Sequence, residues 1–139
     1  MDNISVLLVD DEEDFLDTLV KRLRRRNVDA YGARSGAEAL QFVEEKLPDV
    51  VILDVKMPGM TGIETLRRLK ILHPLLEVIM LTGHANMEVA IEGMELGAFD
   101  YMIKPIEIDE LLYKVQDAFR RKNLQQEKIK KIKDLSASV

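Results

Sequence analysis

Short apolar runs alternate with helical patterns five times along the chain. Ile4 to Val9 is rich in Val, Leu and Ile and too short for a typical helix, so it predicts a strand. Phe15, Leu16, Leu19, Val20 and Leu23 then recur at helical spacing, with charges on the other face, which predicts an amphipathic helix. Asp29 to Ala33 predicts a weaker second strand, loosened by Gly32. Gly36 and Ala37 open a second helix with Leu40, Val43 and Leu47 turned inward, and Pro48 ends it. Val50 to Leu53 is continuously apolar, as a strand covered on both faces should be.

The loop MPGMTG follows, and its Pro and Gly residues break regular structure. Thr61 is expected to cap a helix carrying Ile63, Leu66 and Leu69, with Glu64 completing a capping box, and Pro74 marks that helix's end. Met57 and Met60 are expected to be exposed on the loop. Glu77 to Leu81 predicts a fourth strand, Val89 to Leu96 a short helix closed by Gly97, and Phe99 to Ile103 a fifth strand. A last helix runs from about Glu107, with Ile108, Leu111, Leu112, Val115 and Phe119 on one face.

Strict strand–helix alternation implies right-handed crossovers and a doubly wound α/β fold, a five-stranded parallel sheet between helices. Ligands of such sheets bind outside the carboxyl ends of the strands. Those ends carry Asp10 and Asp11 after the first strand, Asp54 after the third, Thr82 after the fourth and Lys104 after the fifth. Three crowded carboxylates raise one another's pKa unless a cation sits among them. Hard oxygen donors with open positions suit Mg²⁺, or Mn²⁺ in its place. Asp54 is the candidate nucleophile, since a carboxylate can form an aspartyl phosphate. Lys104 is long enough to bring a point charge to a phosphoryl oxygen from the neighbouring strand, and the Thr82 hydroxyl can donate to another. The plainer reading of Asp10 and Asp11 is an N-cap for the first helix.

Composition narrows the class. A chain of 139 residues, 47% hydrophobic and 32% charged, fits one globular domain. The absence of cysteine excludes disulfides, thiolate metal sites and cysteine nucleophiles. No apolar run approaches the roughly 20 residues that span a bilayer, and the acidic N-terminus does not read as a signal peptide, so a cytoplasmic location is expected. The net charge of -5 is uneven: residues 119–139 carry +5, while the remainder holds 13 basic and 23 acidic groups. An acidic body suits a cation site and argues against nucleic-acid binding there.

With these residues placed, the chain resembles the receiver domains of two-component response regulators over roughly residues 4–120. The matching pieces are VLLVDDEED, VVILDVKMPGMTGIE, VIMLTG and GAFDYMIKPI, in order and each at a strand end. The stretch LTGHANMEVAIEGMELGAFDYMIKP is similar to receivers that precede AAA+ transcriptional activators. The resemblance implies a flavodoxin-like sheet in order 2-1-3-4-5 with five helices. It implies that Asp54 is the phosphoacceptor, that Asp11 is a direct Mg²⁺ ligand with Asp10 assisting, and that the Lys56 backbone carbonyl completes the protein ligands. It also implies a charge-neutralising role for Lys104, a cis bond before Pro105, and a switch made of Thr82 and Tyr101. Lys56 and His84, each two residues beyond a site residue, are the expected modulators of phosphoryl lifetime.

The implied partners are a sensor histidine kinase or phosphotransfer protein and a downstream protein target. A second copy is a further partner, through the face of the fourth helix, fifth strand and fifth helix. Residues 1–120 read as the receiver domain. Residues 121–139 read as a basic helical extension, either pairing with a partner or leading as a linker into an effector domain. No action on an external metabolite is expected. A haloacid-dehalogenase-type hydrolase would need a second Asp two residues after the nucleophile, where Lys56 and Glu13 stand instead. A nucleotide or flavin binder would need a phosphate-cradling glycine motif, and the sequence has none. A pure interaction module would not need the acidic pair, Asp54, Thr82 and Lys104 together.

Overall fold

The computed structural model describes residues 3–57, 59–83 and 86–137. The elements alternate as expected: β1 (Ser5–Val9), α1 (Glu13–Arg25), β2 (Asp29–Ala33), α2 (Gly36–Glu45) and β3 (Val50–Asp54). They continue with α3 (Gly62–Leu72), β4 (Glu77–Thr82), α4 (Met87–Glu95), β5 (Asp100–Ile103) and α5 (Ile108–Ala137). All strand pairs are parallel, in the order β2-β1-β3-β4-β5.

Alternate side chains of the central strands feed two separate cores. Val6, Leu8, Val50, Ile52, Ile79 and Leu81 pack under α1 and α5. Leu7, Val9, Val51, Leu53, Val78 and Met80 pack under the helices of the other layer. Each such aliphatic side chain stabilises the fold by about 1.5–3 kcal/mol on burial. This is why β1, β3 and β4 read as unbroken apolar runs rather than alternating ones.

Local capping sets where the helices start. Ser35 Oγ accepts from Glu38 N at 3.1 Å, Thr61 Oγ1 from Glu64 N at 3.2 Å and Asn86 Oδ1 from Val89 N at 3.2 Å. Such caps contribute about 1 kcal/mol each. The capping box at α3 is incomplete, because the Glu64 carboxylate turns to Arg67 (2.5 Å) and Arg68 (3.1 Å) along the helix. Leu47 is 56% exposed rather than inward. α2 stops at Glu45, and an extended Lys46 takes the chain out of helical register. Met57 is buried in the second core, contrary to expectation, because the loop after β3 folds back onto the sheet.

α5 is a continuous helix of 30 residues that outruns the sheet. Two ion pairs hold it where it leaves. Arg121 Nε meets the buried Glu77 Oε2 at 2.5 Å, and Lys122 pairs with Asp49, whose other oxygen accepts from Ser5 N at 2.8 Å. Arg121 also lies over the Phe99 ring, 5.0 Å from its centroid. Lys70 approaches Glu77 at 4.0 Å; burial pushes its pKa down while the Glu77 charge opposes that shift. Among the described residues, no helix is long and apolar enough to cross a membrane.

Candidate functional site

The carboxyl ends of β1, β3, β4 and β5 form one rim, and the chemistry-bearing residues gather there. Asp10 and Asp54 are buried, 3% and 5% exposed, and Asp11 is exposed. Oxygens of these three carboxylates lie within 4.8 Å of one another. The donor set is all hard oxygen with one face open to solvent, which fits a small divalent cation such as Mg²⁺ or Mn²⁺.

Backbone geometry positions each member. Asp10 donates its N–H to Ala33 O at 3.0 Å, and its Oδ1 accepts from Glu12 N at 2.9 Å. The N-cap position of α1 is Glu12, whose side chain makes no capping bond, so neither Asp10 nor Asp11 holds that position. Asp54 ends β3 opposite Leu81, and its Oδ1 accepts from Lys56 N at 3.3 Å. Gly62 governs the return of the loop: it donates to Val55 O at 3.0 Å. A Cβ at Gly62 would stand 2.5 Å from Val55 Cα and overlap the Asp54 carbonyl oxygen.

Lys104 reaches the pocket from farther away than expected. β4 lies between β5 and β3, so Lys104 is not on a strand adjacent to Asp54. Its backbone N–H donates to Thr82 O at 2.7 Å, and its side chain carries Nζ to within 2.8 Å of Asp10 Oδ2. The Phe15 ring, read in the sequence only as an apolar helix position, lies beneath the ammonium at 4.1 Å from centroid to Nζ. The Lys104–Pro105 bond is cis.

Burial is the main force acting on Asp54, and the neighbouring Asp10 charge adds to it. Together they raise its pKa from 3.8 to about 6, against the opposing pull of Lys104 and the Lys56 N–H. Such a carboxyl group welcomes a cation, which removes the cost of ionisation.

Thr82 is buried at the end of β4, and Tyr101 is half-buried on β5, with its hydroxyl accepting from Asn86 N at 3.3 Å. Both border a groove of about 360 Å³ that also touches Lys56 and Val89. Lys56 is exposed beside Asp54. His84 lies outside the described residues.

A family model of the response regulator receiver domain matches residues 6–116. The chain belongs to the response regulator receiver family. This receiver is 40% identical over 110 residues to the transcriptional regulatory protein ZraR of Escherichia coli (strain K12), covering 79% of the chain and 25% of the relative. To the DNA-binding transcriptional regulator NtrC of the same strain it is 36% identical over 122 residues, covering 88% of the chain and 26% of the relative. It therefore spans about a quarter of the length of these curated relatives. A solved response regulator receiver domain protein from Clostridium thermocellum superposes with a TM-score of 0.83 at 35% identity, covering 88% of this chain and 98% of that one.

Proposed function

We propose that this receiver accepts a phosphoryl group on Asp54 from a phosphohistidine of a sensor histidine kinase or phosphotransfer protein. The observation that carries the reading is the convergence of Asp10, Asp11 and Asp54 with the Lys104 ammonium on one rim. An Asp54 oxygen attacks phosphorus in line, the new O–P bond forms, and the P–N bond breaks as the leaving imidazole regains a proton. Asp10, Asp11, Asp54 and the Lys56 backbone carbonyl would hold Mg²⁺, which when bound supplies charge neutralisation to the phosphoryl oxygens. Lys104 offers its remaining N–H donors to a phosphoryl oxygen while Asp10 orients it.

The phosphorylated carboxyl brings two negative charges and three acceptor oxygens. Thr82 turns its hydroxyl toward one of them, and Tyr101 moves inward along the groove they share. The two arrangements pre-exist, and the phosphoryl group biases them through its differential contacts. The reshaped face is that of α4, β5 and α5, where Met87, Ile91, Met94, Ile103 and Tyr113 are exposed. Such a patch suits a protein target or a second copy. Output then passes to that target, or to an effector region of the kind implied by the transcriptional regulators it resembles. The protein works in the cytoplasm and catalyses only reactions of its own Asp54. Lys56, exposed beside the acceptor, tunes hydrolysis; identical phosphoryl half-lives in wild type and Lys56→Ala would remove that role.

Intact mass after incubation with acetyl phosphate tests the core reading. The expected result is a gain of one phosphoryl group that requires Mg²⁺ and is lost in Asp54→Asn. A wild-type mass that never changes, or an Asp54→Asn variant that gains as much, overturns it.

A further inference from the structure

The Lys104 ammonium sits between groups of different kinds. Asp10 Oδ2 lies 2.8 Å away on one side, and the Phe15 ring centroid lies 4.1 Å away on another. Phe15 stands in the first turn of α1, at the edge of the buried stripe formed by Leu16, Leu19, Val20 and Leu23. It is half-buried against the first core, together with Ile106 and Ile108, which follow the Lys104–Pro105 bond. The Lys104 side chain is only 16% exposed, and a cation over an aromatic face is held more strongly as water is removed.

We propose that Phe15 is a positioning residue for Lys104, holding its ammonium over the acidic pocket through the face of the ring. This role rests on the phosphoacceptor reading above. The lysine backbone follows β5, two strands from Asp54, with its N–H donating to Thr82 O on the strand between, and four flexible carbons separate that backbone from the charge. Something must fix the free end. Asp10 alone would do so by drawing the ammonium toward its own carboxylate. A second carboxylate would occupy the remaining N–H donors and repel an incoming phosphoryl group. An aromatic face attracts the cation without being a competing anion, leaving donors for Asp10 and for a phosphoryl oxygen. An aliphatic side chain would fill the space but offer no such attraction.

The test compares Phe15→Leu, which keeps apolar bulk and loses the ring, with Phe15→Tyr, which keeps the ring. Nuclear magnetic resonance reads the contact directly. The ε-methylene protons of Lys104 should be shifted upfield by the ring in wild type and Phe15→Tyr, and return to ordinary lysine positions in Phe15→Leu. With acetyl phosphate and saturating Mg²⁺, phosphorylation should slow by roughly three- to tenfold in Phe15→Leu and stay near wild type in Phe15→Tyr. Thermal midpoints establish that each variant is folded, and Phe15→Met replaces Phe15→Leu should the latter unfold. An unshifted Lys104 in wild type, or equal rates in the wild type and aliphatic variants, overturns the role of Phe15 while leaving the acceptor intact. A folded wild-type chain that takes no phosphoryl group overturns both readings.

Discussion

Lys104 Nζ donates to Asp10 Oδ2 at 2.8 Å, closing an ion pair across 94 positions of sequence. The pair places the lysine charge on a carboxylate that would also hold the proposed divalent cation. On the proposed function, lysine and metal would oppose each other electrostatically while both favour the phosphoryl group. Lys104→Met should bind Mg²⁺ roughly three- to tenfold more tightly by calorimetry, because a like charge has gone. Its phosphorylation by acetyl phosphate should nevertheless slow by at least about tenfold, since a donor to the transferring group is lost. Weaker Mg²⁺ binding in this variant would show that Lys104 supports the cation site rather than competing with it.

The raised pKa of Asp54 makes the metal-free protein less stable as pH rises. Its carboxyl ionises near 3.8 when unfolded but only at about 6 when folded. Well below pH 3.8 both states are protonated and Asp54 costs nothing. Between 4 and 6 the unfolded state loses its proton first, and above 6 the penalty is complete, as much as about 3 kcal/mol. In EDTA at pH 7.5, Asp54→Asn should exceed wild type in denaturant stability by up to that amount, with the gap narrowing toward pH 4. Added Mg²⁺ should stabilise wild type more than the variant. A gap that is constant with pH would contradict this account.

Gly62→Ala should damage the fold and the site together. Its methyl group would collide with backbone atoms of Asp54 and Val55, which no rotamer change can clear. The expected loss is about 1–3 kcal/mol of stability in chemical denaturation, with phosphorylation of the folded fraction reduced as well. Normal reactivity per folded molecule would mean that the loop can retreat without moving the acceptor.

The two ion pairs at the exit of α5 determine how firmly its extension follows the sheet. Glu77→Gln combined with Asp49→Asn removes both carboxylates that hold Arg121 and Lys122. Stability should fall by about 1–3 kcal/mol. Amide hydrogen exchange over residues 121–137 should accelerate, because helices in proteins draw most of their stability from tertiary contacts and this stretch loses two of them. Exchanging the partners, as Asp49→Lys with Lys122→Asp in an otherwise unaltered chain, should preserve protection. Exchange that ignores the loss of both pairs would show the extension to be independent of the sheet.

The linear pattern of this protein settled the alternation of strands and helices. Apolar runs such as Val50–Leu53, helical repeats such as Leu16–Leu19–Leu23, and breakers such as Pro48 and Gly97 act over a few residues, so their effect is local. It also placed Asp10, Asp11, Asp54, Thr82 and Lys104 on one rim, because parallel strands all present their carboxyl ends to the same side. Partner choice was another matter. Whether Lys104 meets Asp10 or Asp54, whether Phe15 faces a core or a cation, and where Arg121 and Lys122 find their carboxylates depend on distances across several strands. Leu47, Met57 and Glu64 depart from their local patterns for the same reason: a helix ending early, a loop folding back and two nearby arginines redirect them. Those distances exist only once the sheet has assembled, and side-chain energies that fall off within a few ångströms cannot be read before then.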